Sequence, residues 1–268
     1  MKKFVKSILT HEVAKRGFLF NKLTEKKEIN NLIESLHPYK TELELIRLGP
    51  NGDGGYLVPS DLEGIEACFS PGVDKISEFE LDCLKYKMKL FMADKSVEKP
   101  NLNIPEDKYH FLKKFIGCTN NDDFITMDEW IKLSGVNQES DLLLQMDIEA
   151  SEYYSIINMS DSLLKRFRIM VIEFHKLQNL WAPLFFDMAK TVFDKILQTH
   201  ICIHIHPNNT QGIYLSNGIA IPKLAEFTFI RKDRVGLKNY QNHFPHKLDY
   251  DNTTKEHIVL PECWYKAH

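Results

Sequence analysis

Hydrophobic positions change period along this chain. In EKKEINNLIESLHP, Ile29, Leu32, Ile33 and Leu36 recur at i, i+3, i+4 and i+7, which predicts a helix with one buried stripe, Thr24 as its N-cap and Pro38 beyond its end. Further on, short apolar runs alternate with helical patterns, as βαβ units and a largely parallel sheet require. The runs predict strands over 65–70, 89–94, 109–116, 141–147, 167–174, 200–206 and 226–231, with helices over 77–88, 151–167 and 187–198 between them. The last two strands are joined by the turn-rich NNTQGIYLSNGIAIP and are expected to pair antiparallel. The expected fold class is therefore α/β, with a seven-stranded, mostly parallel sheet and one antiparallel strand.

At 268 residues the chain suits one large α/β domain with an appendage: a helical N-terminal segment over 1–40 and the main domain over 41–268. A hydrophobic content of 43% with 26% charged residues is that of a globular chain, and a net charge of −3 supplies no basic field for nucleic acid. Five widely spaced cysteines without a CxxC point away from a disulfide framework and towards a cytoplasmic setting. No apolar run is long enough to span a bilayer. Residues 1–20 are read either as a docking helix or as an interfacial amphipathic helix with weak membrane-surface association.

In an open α/β sheet, ligands bind beyond the carboxyl ends of the strands. Those ends are polar here: FSPGVD with Gly72, then Asp94, Asp147 followed by Glu149, Glu173 with His175, and finally His204, His206, Asn208 and Asn209. There is no GxGxxG and no GxxxxGK[ST], which disfavours a Rossmann dehydrogenase or a P-loop NTPase. Gly72 permits a sharp turn where a nucleotide-like cofactor would lie, and Asp94 ends the next strand, where a carboxylate accepts hydrogen bonds from a ribose diol. The competing reading is a loop glycine and a turn-capping aspartate. Asp147 and Glu149 fit either helix capping or ligation of a metal or substrate. Glu173 and His175 share one strand face and suggest a general base or metal ligands.

HICIHIHPNN places His200, Cys202, His204 and His206 at alternate positions. At ~3.3 Å per residue, His200 and His206 stand about 20 Å apart and cannot share an ion, so only His204 and His206 act together. Strict alternation puts Ile201, Ile203 and Ile205 against a helix and Cys202 with the histidines on the opposite face.

RLGPNGDGGYLVP, FSPGVDKISEFE, FMAD, ITMDEW, LLLQMDIEASE, IEFH and HIHPNN, in that order over roughly residues 45–232, resemble the FkbM-type S-adenosylmethionine-dependent O-methyltransferases. The resemblance implies a class I methyltransferase, Rossmann-like three-layer sandwich with strand order 3-2-1-4-5-7-6. It further implies that Ser70, Gly72, Ser77 and Phe79 surround the methionine part of S-adenosyl-L-methionine and that Asp94 takes the ribose hydroxyls. Gly54, Gly55 and Tyr56 match the family's DGGY, and Asp147, Glu149 and Glu152 match its D-x-E-G-x-E run. Ala150 departs from that run, standing where the family usually has glycine.

Methyl transfer to a hydroxyl needs alignment and removal of a proton. Asp147, Glu173 and His175 are the expected catalytic residues. Asp147 and Glu173, helped by His204 or His206, are the expected ligands of a divalent metal such as Mg or Mn. In the family's strand order the two histidines start about 10 Å from Glu173, so a loop must turn inward to close the gap. The expected function is O-methylation of a sugar hydroxyl in a bacterial surface polysaccharide or a nucleotide-linked sugar precursor. A metal-dependent hydrolase and a non-catalytic binding protein on the same fold are the alternatives. Trp181 and Phe185 belong either to an acceptor pocket or to packing.

Overall fold

A computed structural model describes residues 13–17, 22–73, 77–236 and 239–266. Most of the segment expected to form a docking or interfacial helix, residues 1–12 and 18–20, lies outside the described residues. Helix α1 (Lys26–Ser35) buries the expected stripe of Ile29, Leu32 and Ile33. Its N-cap is Glu25, without a side-chain cap bond, and Thr24 is instead buried with an unpartnered hydroxyl. Thr24 is drawn inward because its N–H donates to the Trp181 carbonyl at 3.0 Å. The short strand β1 (Tyr39–Lys40) follows, then a hairpin of β2 (Leu45–Leu48) and β3 (Tyr56–Pro59).

The main sheet begins with β4 (Ala67–Pro71), helix α2 (Glu78–Lys85) and β5 (Lys89–Ala93). The expected strand over 109–116 is two pieces, β6 (Tyr109–Leu112) in the main sheet and β7 (Phe115–Ile116), which leaves it to pair with β8 (Phe124–Ile125). Helix α3 (Met127–Ser134) starts on Thr126, whose hydroxyl accepts from the Glu129 N–H. Next come β9 (Leu142–Met146), α4 (Glu152–Asn158), α5 (Asp161–Leu164) and β10 (Phe167–His175). The expected helix over 151–167 is thus two, because Ser160 caps a new helix with an extended backbone and a side-chain bond from the Leu163 N–H. Helix α6 (Pro183–Thr199) leads to β11 (His200–Pro207), the hairpin of β12 (Ile213–Ser216) and β13 (Ile219–Pro222), β14 (Leu224–Arg231) and β15 (Asn239–Tyr240), the partner of β1.

The seven-stranded sheet runs β11-β14-β10-β9-β4-β5-β6. In order of appearance that is 3-2-1-4-5-7-6 read from the β6 edge, with β14 antiparallel to both neighbours. This is the class I methyltransferase topology, and the expected antiparallel pairing of the last two strands is observed. One face carries Phe69, Leu144, Ile172 and Phe227 packed with α1, α3, α4 and α6; the other carries Cys68, Leu143, Val171 and Ile230 under α2 and the β2–β3 hairpin. Helix α1 shares the first of these cores with Trp264 near the C-terminus. Trp181 is buried in that core and Phe185 packs against it, so packing, not an acceptor pocket, accounts for both.

The β11 strand departs from strict alternation at a bulge between Cys202 and His204. Ile201 and Ile203 join the core beneath the β2–β3 hairpin, whereas Cys202 and Ile205 join the helix-side core. The extra residue turns His204 and His206 onto the hairpin side, the face that also carries Glu226 and Glu173. His200, before the bulge, is structural: it is buried, sits 2.7 Å from the Phe167 carbonyl, and burial lowers its pKa to about 4.

Candidate active site

Between β4, the first strand, and β9 the sheet reverses its winding, which opens a crevice at the strands' carboxyl ends. The two strand ends are pressed together there. The Asp147 N–H donates to the Pro71 carbonyl at 3.2 Å, and a Cβ on Gly72 would fall 1.6 Å from the Asp147 carbonyl oxygen. Gly72, at φ 89°, is therefore required for contact between two strand ends. Beside it lies a cavity of about 370 Å³ lined by Gly72, Asp94, Ser96, Phe115, Asp147 and Glu149 among others, a volume within the range of small-molecule sites. Asp94 is buried and its Oδ1 accepts from both the N–H and the hydroxyl of Ser96, at 2.7 Å each, which fixes the carboxylate at the rim. Phe115 and Phe124, 40% and 36% exposed, line the same cavity.

Other residues expected around the cofactor lie behind this wall. The Ser70 hydroxyl is fully buried and joins Glu80 to Gln145, and Gln145 Nε2 donates to the Tyr56 hydroxyl at 3.3 Å. Phe79 packs edge-on against Tyr56. Ser77 is buried with an unpartnered hydroxyl. Gly54 turns the hairpin at φ 74°, and Gly55 is held by space, since a Cβ there would meet the Pro50 carbonyl oxygen at 2.0 Å.

After β9 the backbone of Glu149 and Ala150 takes left-handed conformations, at φ 55° and 78°. The turn survives without glycine at position 150, at a cost of roughly 1–2 kcal/mol per such residue. It brings Glu149 within 3.4 Å and Asp147 within 3.7 Å of His175 Nε2. The opposite ring nitrogen, Nδ1, lies 2.5 Å from Glu152 Oε1, and Glu152 is fully buried at the start of α4. Burial opposes a charge on His175, but the Glu152 bond and the Glu152, Asp147 and Glu149 carboxylates outweigh it and raise its pKa. Burial pushes the Asp147 carboxyl up to about 7, with His175 opposing the shift and Glu152, Glu149 and Asp53 adding to it. Asp147 keeps 31% of its side chain accessible, yet its Oδ1 is itself buried and unpartnered.

Asp147, Glu149 and His175 offer ligand atoms within 4.8 Å of one another and are the one such group of three or more among the described residues. The expected set of Asp147, Glu173, His204 and His206 is not gathered around one point. Glu173 is not a member of that group and accepts from Asn208 Nδ2 at 3.0 Å; burial followed by Asp147, Glu226 and Asp53 raises its pKa well above the ordinary value. His204 is 2.8 Å from Asp249 Oδ1 through Nε2, and His206 lies directly across from Glu226 in the neighbouring strand. Glu226 was absent from the expected site because β14 runs antiparallel, so the start of this strand, not its end, reaches the active edge. Asp53, Asp249 and Asn252 were also absent, being loop residues without a periodic signal.

A wider depression of about 800 Å³, lined by residues including Asp128, Lys132, Asp141, Arg166 and Arg231, lies at the opposite edge of the sheet. Asp141 there is already paired with Arg168 at 2.7 Å and Arg231 at 2.5 Å, leaving that edge to structural ion pairs.

No family model matches the sequence, and no curated protein matches it. Among solved structures the chain is similar to the Methanococcus jannaschii fibrillarin pre-rRNA processing protein, at 7% identity and a TM-score of 0.37, over 71% of this chain and 83% of that one. The fold assignment rests on the strand order and the single antiparallel strand. They define a protein of the class I methyltransferase fold. Among the described residues no helix is long and apolar enough to cross a membrane.

Proposed function

We propose that the chain is an S-adenosylmethionine-dependent O-methyltransferase of the FkbM type, acting on a hydroxyl of a sugar in a bacterial surface polysaccharide or its precursor. The observation that carries this reading is one continuous crevice in which Gly72 and Asp94 share a cavity with Asp147 and Glu149, and His175 stands behind those two carboxylates. The cofactor fits the groups present. Asp94, fixed by Ser96, would accept from a ribose diol, and the exposed faces of Phe115 and Phe124 suit the adenine ring. When bound, S-adenosylmethionine supplies an electrophilic methyl group.

The chain's own work is to align the acceptor oxygen and remove its proton. Glu152 holds the His175 ring through Nδ1, so Nε2 is the nitrogen directed to the crevice and is the proposed general base. Its raised pKa strengthens it as a base while leaving more of it protonated near neutrality. A second reading is favoured by the tight grouping of Asp147, Glu149 and His175: these residues would hold a divalent cation, with Glu152 bracing the histidine as carboxylates commonly brace metal-bound imidazoles. Such an ion would lower the acceptor hydroxyl's pKa.

The test of activity is mass spectrometry of surface glycans from cells with and without the gene. Loss of a single methyl increment is expected, and an unchanged glycan profile counts against a polysaccharide acceptor. Methyl transfer that persists fully in chelator removes the metal and leaves His175 as the base. Loss of transfer that is restored by Mg or Mn supports the metal.

A further inference from the structure

A second polar cluster lies next to the methyl-transfer residues, and its hydrogen bonds are incomplete. Glu173, Glu226 and His206 stand in register across β10, β14 and β11, spanning about 10 Å at the usual strand spacing. Above them runs the loop over 246–253. Asn252 Nδ2 donates to Glu226 Oε1 at 2.8 Å and to Asp53 Oδ1 at 3.2 Å, which ties this loop to the DGGY turn. His206 is only 5% exposed, yet neither of its ring nitrogens has a hydrogen-bond partner, and Nδ1 stands 3.6 Å from Asp249 Oδ1. Asn252 Oδ1 is likewise buried and unpartnered. Buried polar atoms without partners are few in native proteins, so finding three in one cluster points to a ligand that supplies the missing bonds.

The unpartnered atoms have complementary character. His206, lifted to about 9 because Glu226 and Asp249 outweigh the opposing effect of burial, is an imidazolium with two N–H donors. Asn252 Oδ1 can only accept. A hydroxyl both accepts and donates, so a pair of hydroxyls on one ring would satisfy both sides at once. The surroundings also discriminate by charge. Asp53, Asp147, Glu173, Glu226 and Asp249 converge here, opposed mainly by Arg47, His204 and His206. Glu173, Glu226 and Asp53 already accept from Asn208 and Asn252, so a carboxylate or phosphate brought among them would add acceptors where acceptors predominate, whereas a neutral polyol or an ammonium would bring donors.

We propose that His206, Glu226 and Asn252, with Asp53 at the rim, form the acceptor-recognition subsite, and that it selects a neutral or amino sugar ring and rejects uronic acids and sugar phosphates at this position. The proposal rests on the methyltransferase reading for its role in catalysis, but its binding test does not require that reading.

The experiment is calorimetric titration of the full chain with three probes: methyl glucoside, methyl glucosaminide and methyl glucuronide. S-adenosylmethionine affinity is measured separately. The neutral and amino glycosides are expected to bind, with the glucuronide about tenfold weaker or worse, and Glu226→Gln and Asn252→Leu are each expected to weaken glucoside binding by about tenfold while S-adenosylmethionine affinity holds. Should Glu226→Gln fail to fold, Asp53→Asn at the exposed rim is expected to narrow the gap between glucoside and glucuronide. The proposal is overturned by equal binding of glucuronide and glucoside, by wild-type binding in the folded variants, or by no binding of any probe at roughly millimolar concentration. Glycoside binding without S-adenosylmethionine binding would leave the subsite standing and remove the methyltransferase reading.

Discussion

His175 is defined by what holds its two nitrogens. Glu152 fixes Nδ1, and Asp147 and Glu149 bound the space in front of Nε2. His175→Gln is therefore expected to lower kcat for methyl transfer by 10²–10⁴, the usual range for a lost general base. Glu152→Gln keeps the ring's position and removes the carboxylate that helps raise the imidazole's pKa. In this variant the acidic limb of the kcat/KM profile should move to lower pH, with a smaller loss at the optimum; an unshifted limb would reduce Glu152 to a packing group. Ala150 is a separate matter of backbone strain, since it holds φ 78° without being glycine. Ala150→Gly should raise stability by up to about 1 kcal/mol in urea unfolding, with the slope of the transition unchanged. Gly72 was legible as a glycine that permits a sharp turn at the strand end, against the reading of an ordinary loop glycine, and Gly54 and Gly55 as a match to the family's DGGY. What each glycine approaches was not legible: Gly72 meets the Asp147 carbonyl, a contact made by chain segments 75 positions apart.

At the scale of elements, the seven sheet strands and their polar ends were readable because apolar runs alternate with helical periods, and β9 and β10 follow those runs closely. The bulge in β11 was not readable, since His-Ile-Cys-Ile-His-Ile-His alternates without interruption and a bulge is set by pairing with β14. That one irregularity moves His204 and His206 from the helix side to the active face. It also lets Asp249 tie the loop over 246–253 to β11 through His204, with His206 Nδ1 3.6 Å from the same oxygen. His206 retains its proton in the folded chain up to about pH 9, against 6.5 for an ordinary histidine. Its contribution to stability is thus fully present below pH 6.5 and is lost as pH rises through about 9. Stability of the wild type should fall across that window, and His206→Gln should flatten the fall in urea titrations taken at successive pH values. An equal slope in both proteins would show that another group carries the titration.

At the scale of the whole molecule, the strand order 3-2-1-4-5-7-6 sets three neighbourhoods along one sheet edge. Asp94 and its cavity lie beside the first two strands, the Asp147–His175 group beside the fourth and fifth, and the Glu226–His206 row beside the seventh and sixth. A cofactor at the first and an acceptor ring at the third would place the reacting atoms over the second, where the proton must leave. The most direct test is calorimetric titration of the full chain with S-adenosylmethionine, repeated with Asp94→Ala. Saturable binding by the wild type, weakened at least about tenfold in the folded variant, is the result this account predicts, a loss of about 1.4 kcal/mol or more. No heat of binding at millimolar S-adenosylmethionine, or equal binding by Asp94→Ala, would contradict it.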